Sequence, residues 1–137
     1  MNELALRSLA GLPPFLLYFA VSIALLAAFT YVYVLTTPYH ELRLIKQGNT
    51  AAAVSLSGAM IGFVLPLAHS VSQSANLPDM LIWAGIAAVV QLAAYFAVRL
   101  LVPGIVKDIP EGRVAQGIFL GAVSVVIGVL NSACMTY

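Results

Sequence analysis

Four long apolar runs, nearly free of charge, determine which solvent this chain is built for. They cover residues 15–35, 51–71, 80–102 and 114–134, and Arg99 is the single Asp, Glu, Lys or Arg within them. Backbone groups in hydrocarbon have no water to bond, so a segment crosses a bilayer as a helix. About 20 residues at 1.5 Å each span the roughly 30 Å core. The pattern predicts an all-α integral membrane fold with four transmembrane helices.

The composition excludes several classes of protein. Charged residues make up 8% of the 137 residues and hydrophobic residues 62%, with a mean hydropathy of +1.02. A soluble domain has about 25% charged residues, so a water-soluble enzyme is excluded. The net charge of +1 provides no basic patch for nucleic acid. Because Cys134 is the single cysteine, neither an intrachain disulfide nor a multi-thiolate metal site can form. We predict no cofactor, no metal and no nucleic-acid partner, with the lipid bilayer as the main partner.

The distribution of cations predicts the orientation of the chain in the membrane. Arg7 is the only cation on one side, and five lie on the other: Arg43, Lys46, Arg99, Lys107 and Arg113. Short loops rich in Lys and Arg stay in the cytoplasm. We therefore expect a multi-pass protein of the bacterial inner membrane, with both termini on the periplasmic side.

The two cytoplasmic connectors, residues 36–50 and 103–113, are the candidate contact region for a soluble partner. The first connector contains a charged cluster, formed by His40, Glu41, Arg43 and Lys46. This cluster either contacts anionic lipid or a cytoplasmic protein, or it only fixes the topology.

The two halves of the sequence resemble each other, which predicts an internal duplication. Ile45-Lys46-Gln47-Gly48 precedes the second run much as Ile109-Pro110-Glu111-Gly112 precedes the fourth, and the units cover about 13–72 and 78–137. A two-helix unit returns the chain to its starting side, so both copies insert in the same orientation. We predict one membrane domain, residues 1–137, built from two parallel helical-hairpin repeats.

Small residues recur on one face of the second and fourth runs. Steps of three and four residues place them on the same side of a helix, and small-x-x-x-small pairs let two backbones approach closely. The predicted packing residues are Ser55, Gly58, Gly62, Gly117, Gly121, Ser124 and Gly128. We predict a tight contact between these helices, either within one chain or between two copies. Four helices bury little protein surface, so we also expect a homo-oligomer.

Three polar residues inside the runs are candidates for a polar path: His69, Gln91 and Asn131. An unbonded amide in hydrocarbon costs on the order of several kcal/mol, so Gln91 needs a partner on a neighbouring helix. Each of the three either lines a cavity or only packs. All five carboxylates lie outside the runs, so a proton-driven mechanism would have to use His69 alone.

The sequence offers no catalytic residues. It contains no nucleophile–base pair, and the glycines of the fourth run follow no strand, which rules out a dinucleotide-binding loop. We predict a non-enzymatic membrane-organising or stress-related component. The alternative is a subunit of a small oligomeric channel or transporter.

The segment IKQGNTAAAVSLSGAMIGF places a Gly-Asn turn before an alanine- and glycine-rich helix. With its two hairpins, the chain resembles the YjfL-like family of small bacterial inner-membrane proteins from Phe15 to about Cys134. The resemblance implies a duplicated two-helix unit, and it implies no catalytic residues because the family has no established activity. Arg113 stands where the first copy has Asn49.

Overall fold

A computed structural model describes residues 2–135, so Thr136 and Tyr137, the end of the predicted second repeat, lie outside the described residues. Within this range the chain is all-α. Its helices are α1 (Glu3–Ala10), α2 (Leu12–Thr36), α3 (Glu41–Lys46), α4 (Thr50–Gln73), α5 (Leu77–Leu101), α6 (Ile105–Asp108) and α7 (Val114–Cys134). Four stretches are long and apolar enough to cross a membrane: Glu3–Thr36, α4, α5 and α7. The prediction of an all-α chain with four membrane-spanning helices is confirmed.

Asparagine side chains mark where three of the helices begin. The side-chain oxygens of Asn2, Asn49 and Asn76 each accept a hydrogen bond from the backbone N–H three residues later, at 2.9 Å. Such N-caps satisfy one of the N–H groups that the first turn leaves unpaired. Arg113 precedes α7 without a side-chain cap, so the two connectors differ in how their following helix begins.

The two connectors lie at one end of the bundle, which we call the connector end; the opposite end is the terminal end. Gly48 and Gly112 have φ angles of 85° and 80°, a region that favours glycine. After them the N–H of Asn49 bonds the Leu44 carbonyl and that of Arg113 the Asp108 carbonyl, as in a Schellman motif. The Asn49 amide also donates to the Ile109 carbonyl at 2.9 Å. This bond fastens one connector to the other.

The bundle is organised around α4, and α2 is attached at its edge. Only 6% of the most apolar stretch of the first span is buried, against 56% for α4. Aromatic rings hold α2 at the connector end: Phe29 stacks on Phe63 at 4.5 Å between centroids, and Tyr33 meets Tyr95 edge-on at 5.6 Å. Most of α2 is therefore free to contact lipid or another protein.

Candidate functional site

The contact between α4 and α7 is the closest approach of two helices in the described chain. A Cβ atom built on Gly58 would lie 2.7 Å from the Gly121 carbonyl carbon, and one on Gly128 would lie 2.6 Å from the Gly62 Cα. Real Cβ atoms essentially never come this close, so only glycine fits at these positions. The residue numbers of the contacting positions increase in the same direction along both helices, from Gly58 with Gly121 to Gly62 with Gly128, so the two helices run parallel.

All seven predicted packing residues lie in this contact, which we call the glycine seam. Each of them is buried: Ser55, Gly58, Gly62, Gly117, Gly121, Ser124 and Gly128. The sequence left open whether the contact forms within one chain or between copies. In this structure it forms within one chain, since both helices belong to the same protomer. The seam is thus part of the protomer's own fold.

Gln91 of α5 packs against one side of the glycine seam. Its side chain is fully buried, and Nε2 donates to the Ser124 carbonyl of α7 at 3.0 Å. A Cβ atom on Gly62 would lie 2.7 Å from that Nε2, so the missing side chain of α4 makes the room for the amide. The Gln91 Oε1 and the Ser124 hydroxyl have no hydrogen-bond partner among residues 2–135. Gln91 therefore joins three helices.

The other two predicted path residues lie nearer the terminal end. His69 on α4 and Asn131 on α7 are half-buried, each about two helical turns beyond the level of Gln91. The Asn131 Nδ2 is buried without a hydrogen-bond partner in the described range. The Gln91 amide, by contrast, donates to the Ser124 carbonyl at its own level of the bundle, and its Oε1 has no hydrogen-bond partner among residues 2–135. Gln91 therefore lies apart from His69 and Asn131 along the helix axes.

Most charges of the connectors face outward. Lys107 and Glu111 form an exposed ion pair at 3.9 Å, and Arg113 lies 3.5 Å from both Asp108 and Glu111. Exposed pairs of this kind contribute little to stability. In the first connector His40, Arg43 and Lys46 are exposed. Among residues 2–135, no three His, Cys, Asp or Glu side chains are placed to hold a metal ion.

Glu41 is the exception, and grouping it with the connector's other charges was wrong. Its side chain is fully buried, and one carboxyl oxygen bonds the Thr37 hydroxyl. Short connector helix α3 turns this first-turn residue inward, against α2 and α5. The spacing of charges in a connector carries no signal for such a turn, so Glu41 cannot be distinguished from its charged neighbours by sequence alone.

Three tyrosines surround the Glu41 carboxyl: Tyr33 of α2, Tyr39 of the connector and Tyr95 of α5. All three interact electrostatically with Glu41. The Tyr33 hydroxyl and the Glu41 Oε2 are buried without hydrogen-bond partners among residues 2–135, while the Tyr39 and Tyr95 hydroxyls interact with each other. Burial raises the pKa of Glu41 from 4.5 to about 7 and raises that of Tyr39 as well. We call this group, with Thr37, the Glu41 cluster. A buried carboxyl with a pKa near neutrality is a form of group that often has a functional role.

Residues 7–135 match the family model described as Domain of Unknown Function (DUF350). The chain belongs to the DUF350 family. The match covers nearly the whole chain, including both connectors, the glycine seam and the Glu41 cluster. The resemblance to the YjfL-like family is confirmed.

Named relatives of this DUF350 protein are membrane proteins. It is 37% identical over 129 residues to the UPF0719 inner membrane protein YjfL of Escherichia coli strain K12, which covers 94% of this chain and 98% of the relative. It is 33% identical over 86 residues to the UPF0719 transmembrane protein YshE of Bacillus subtilis strain 168, covering 63% of this chain and 64% of the relative. No solved structure has a significant match. The relatives and the four apolar helices together support a multi-pass inner-membrane location.

Proposed function

We propose that this DUF350 protein is a non-enzymatic inner-membrane component that organises the membrane as a homo-oligomer. The observation that carries the proposal is the bond from Gln91 to the Ser124 carbonyl inside the protomer. A transport site needs polar groups that face water or substrate. Here the amide in the middle of the bundle fastens helices to one another instead.

A flux experiment separates this role from the alternative, a small oligomeric channel or transporter. Purified protein is reconstituted in liposomes, and the release of entrapped ions and small solutes is followed for wild type, Gln91→Leu and Asn131→Leu. We expect all three to be silent. Flux in wild type that either substitution abolishes would overturn the proposal in favour of transport.

The exposed surface of α2 supports the homo-oligomer. Phe15 and Phe19 stack on each other at 5.6 Å, and both are more than half exposed. Helices in lipid associate by close packing of their side chains, and both rings of this face stay exposed among residues 2–135. We expect several copies per particle when photobleaching steps are counted in bilayers with little protein. Replacing both phenylalanines by Ala should lower the copy number. Leu130→Ala, which shortens an exposed side chain of α7, should not. A single copy in wild type would contradict the oligomer.

We also propose that the connector end faces the cytoplasm, with both termini in the periplasm. The bond from Asn49 to the Ile109 carbonyl holds both cationic connectors at one end, which supports this topology. The exposed cations on residues 36–50, together with residues 103–113, are then available to anionic lipid or a cytoplasmic protein. Cysteines introduced at exposed Leu9 or Arg43 in a Cys134→Ser background test the topology. In intact cells, an impermeant maleimide should label position 9 and spare position 43; the reverse pattern would refute it.

The two connectors support a duplicated two-helix unit. Gly48 and Gly112 occupy the same position in the same backbone turn, and α4 and α7 begin two residues after each glycine. Only the first copy has an N-capping side chain, Asn49. If the turns descend from one element, Arg113→Asn should supply the missing cap of α7 and stabilise the protein by about 1 kcal/mol. A neutral or destabilising effect would count against the equivalence of the turns.

A further inference from the structure

Glu41 is buried in a setting that compensates a negative charge only in part, because burial outweighs the hydrogen bonds to the Thr37 hydroxyl and to its own backbone N–H. Its Oε2 has no hydrogen-bond partner, and none of the ion pairs among residues 2–135 involves this residue. An isolated carboxylate taken out of water has a large desolvation cost, and such a group normally becomes neutral instead. The surroundings of Glu41 thus favour the carboxylic acid over the carboxylate.

The oxygen atoms around Thr37 indicate where the proton is. The Thr37 Oγ1 lies 3.1 Å from the Val34 carbonyl oxygen and 3.2 Å from the Tyr39 carbonyl oxygen, and it also contacts the Glu41 Oε1. A hydroxyl has one hydrogen to donate, so it cannot satisfy three acceptors. A protonated Glu41 reduces this count to two acceptors, because it donates to Thr37 while the Thr37 hydrogen is shared between the two backbone carbonyls.

We propose that Glu41 is a proton-binding site, occupied while α3 is packed against α4 with the carboxyl facing the tyrosines of α2 and α5, and emptied when the carboxyl reaches water at the connector end. Release is a simple ionisation: the carboxyl O–H bond breaks, its electron pair stays on the carboxylate, and the proton passes to water. The site is a property of one protomer and does not depend on the proposed function.

The groups that face Glu41 leave its own carboxyl as the one that titrates near neutrality. Tyrosines face it from α2, the connector and α5, and the Arg99 guanidinium interacts with Tyr39 and Tyr95 but is not among the groups that shift the pKa of Glu41. The basic groups of α3 itself, Arg43 and Lys46, are exposed. The titratable residues of α4 and α7 within the described chain are at the terminal end: His69 and Cys134.

The occupancy of the site changes in the physiological range of pH. Burial raises the pKa of Glu41 to about 7, compared with 4.5 for an exposed glutamate. Between these values the packed form binds one more proton than the form with α3 released. The ratio of packed to released α3 therefore falls about tenfold for each unit of rising pH in this interval.

The small number of glutamates makes a direct test possible. The chain has three, Glu3, Glu41 and Glu111, so protein labelled with ¹³C at the glutamate carboxyl gives three carboxyl signals. The labelled full-length protein is placed in lipid nanodiscs, and the three chemical shifts are followed by NMR from pH 4 to pH 9. We expect one of the three signals to titrate near pH 7 and to be missing in Glu41→Gln.

The assignment does not depend on the folding of one variant. If Glu41→Gln does not fold, the Glu41 signal can be assigned by elimination. The substitutions Glu3→Gln and Glu111→Gln, both at exposed residues, each remove one of the other two signals. A late-titrating signal that survives both of these substitutions supports the proposal. The proposal would be overturned if no signal titrates near pH 7, or if the signal that does is lost in Glu111→Gln or Glu3→Gln.

Discussion

Adding one methyl group at the glycine seam should force α4 and α7 apart. In Gly128→Ala the new Cβ would lie 2.6 Å from the Gly62 Cα and 2.8 Å from its carbonyl carbon, and backbone atoms cannot rotate out of the way. Carbon atoms pack best at about 3.5–4.0 Å, so the helices must separate by roughly 1 Å at this point. A gap of this size removes a quarter to a half of the attraction at each affected contact. Overpacking of this kind costs about 1–3 kcal/mol.

The seam can be tested by unfolding in mixed micelles of increasing SDS content, with the unfolded fraction measured by pulse proteolysis. Gly85→Ala is the matched control, because it adds the same methyl group to an exposed position of α5 with no atom within 4 Å. We expect Gly128→Ala to unfold at lower SDS, and Gly85→Ala to be neutral or more stable by up to about 1 kcal/mol, since alanine is the better helix former. If both variants are as stable as wild type, the reasoning about backbone contact fails.

Three further predictions follow from contacts described above. Gln91→Leu removes the bond to the Ser124 carbonyl and should destabilise the protein by about 0.5–2 kcal/mol in the same unfolding assay; no change would mean the bond is absent in lipid. Asn49→Ala removes both an N-cap and the bond between the connectors, and should cost about 1–2 kcal/mol, whereas Arg113→Ala, which removes no cap, should cost less. Protection of α3 from hydrogen–deuterium exchange should fall between about pH 4.5 and about pH 7 and then level off. The reason is that burial raises the pKa of Glu41, so packed α3 binds a proton more tightly than released α3. Glu41→Gln should make that protection independent of pH once intrinsic exchange is corrected for, and a parallel fall in the variant would refute the link.

The spans and the seam could be predicted because lipid imposes simple rules on sequence. A helix must be about 20 residues long to cross, and charged residues must stay outside it, so the four apolar runs sufficed. Backbone contact between helices requires small residues at steps of three and four, so Gly58, Gly62, Gly121 and Gly128 marked the seam. These rules act locally and can be seen in one sequence.

The Glu41 cluster could not be predicted because it depends on how distant segments meet. The six residues of α3 turn Glu41 towards tyrosines that come from three different segments, and nothing in the sequence of the connector specifies that direction. The attachment of α2 through Phe29 and Tyr33 at one end could not be predicted either, because aromatic residues are distributed along the whole span. Burial of a charged connector residue is a tertiary effect.

The Gln91 amide has its acceptor on a helix that the ribosome makes later. The serine and threonine hydroxyls of α2 bond their own backbone four residues earlier, as Ser22 and Thr30 do at 2.6 and 2.8 Å, so these groups are satisfied as soon as the span enters the bilayer. Helix α5, by contrast, enters with an unsatisfied amide, and Gly58 of α4 lacks the backbone of Gly121 to pack against until Val114–Cys134 has been synthesised. The nascent protein must therefore wait in the membrane, incompletely folded, until translation delivers α7.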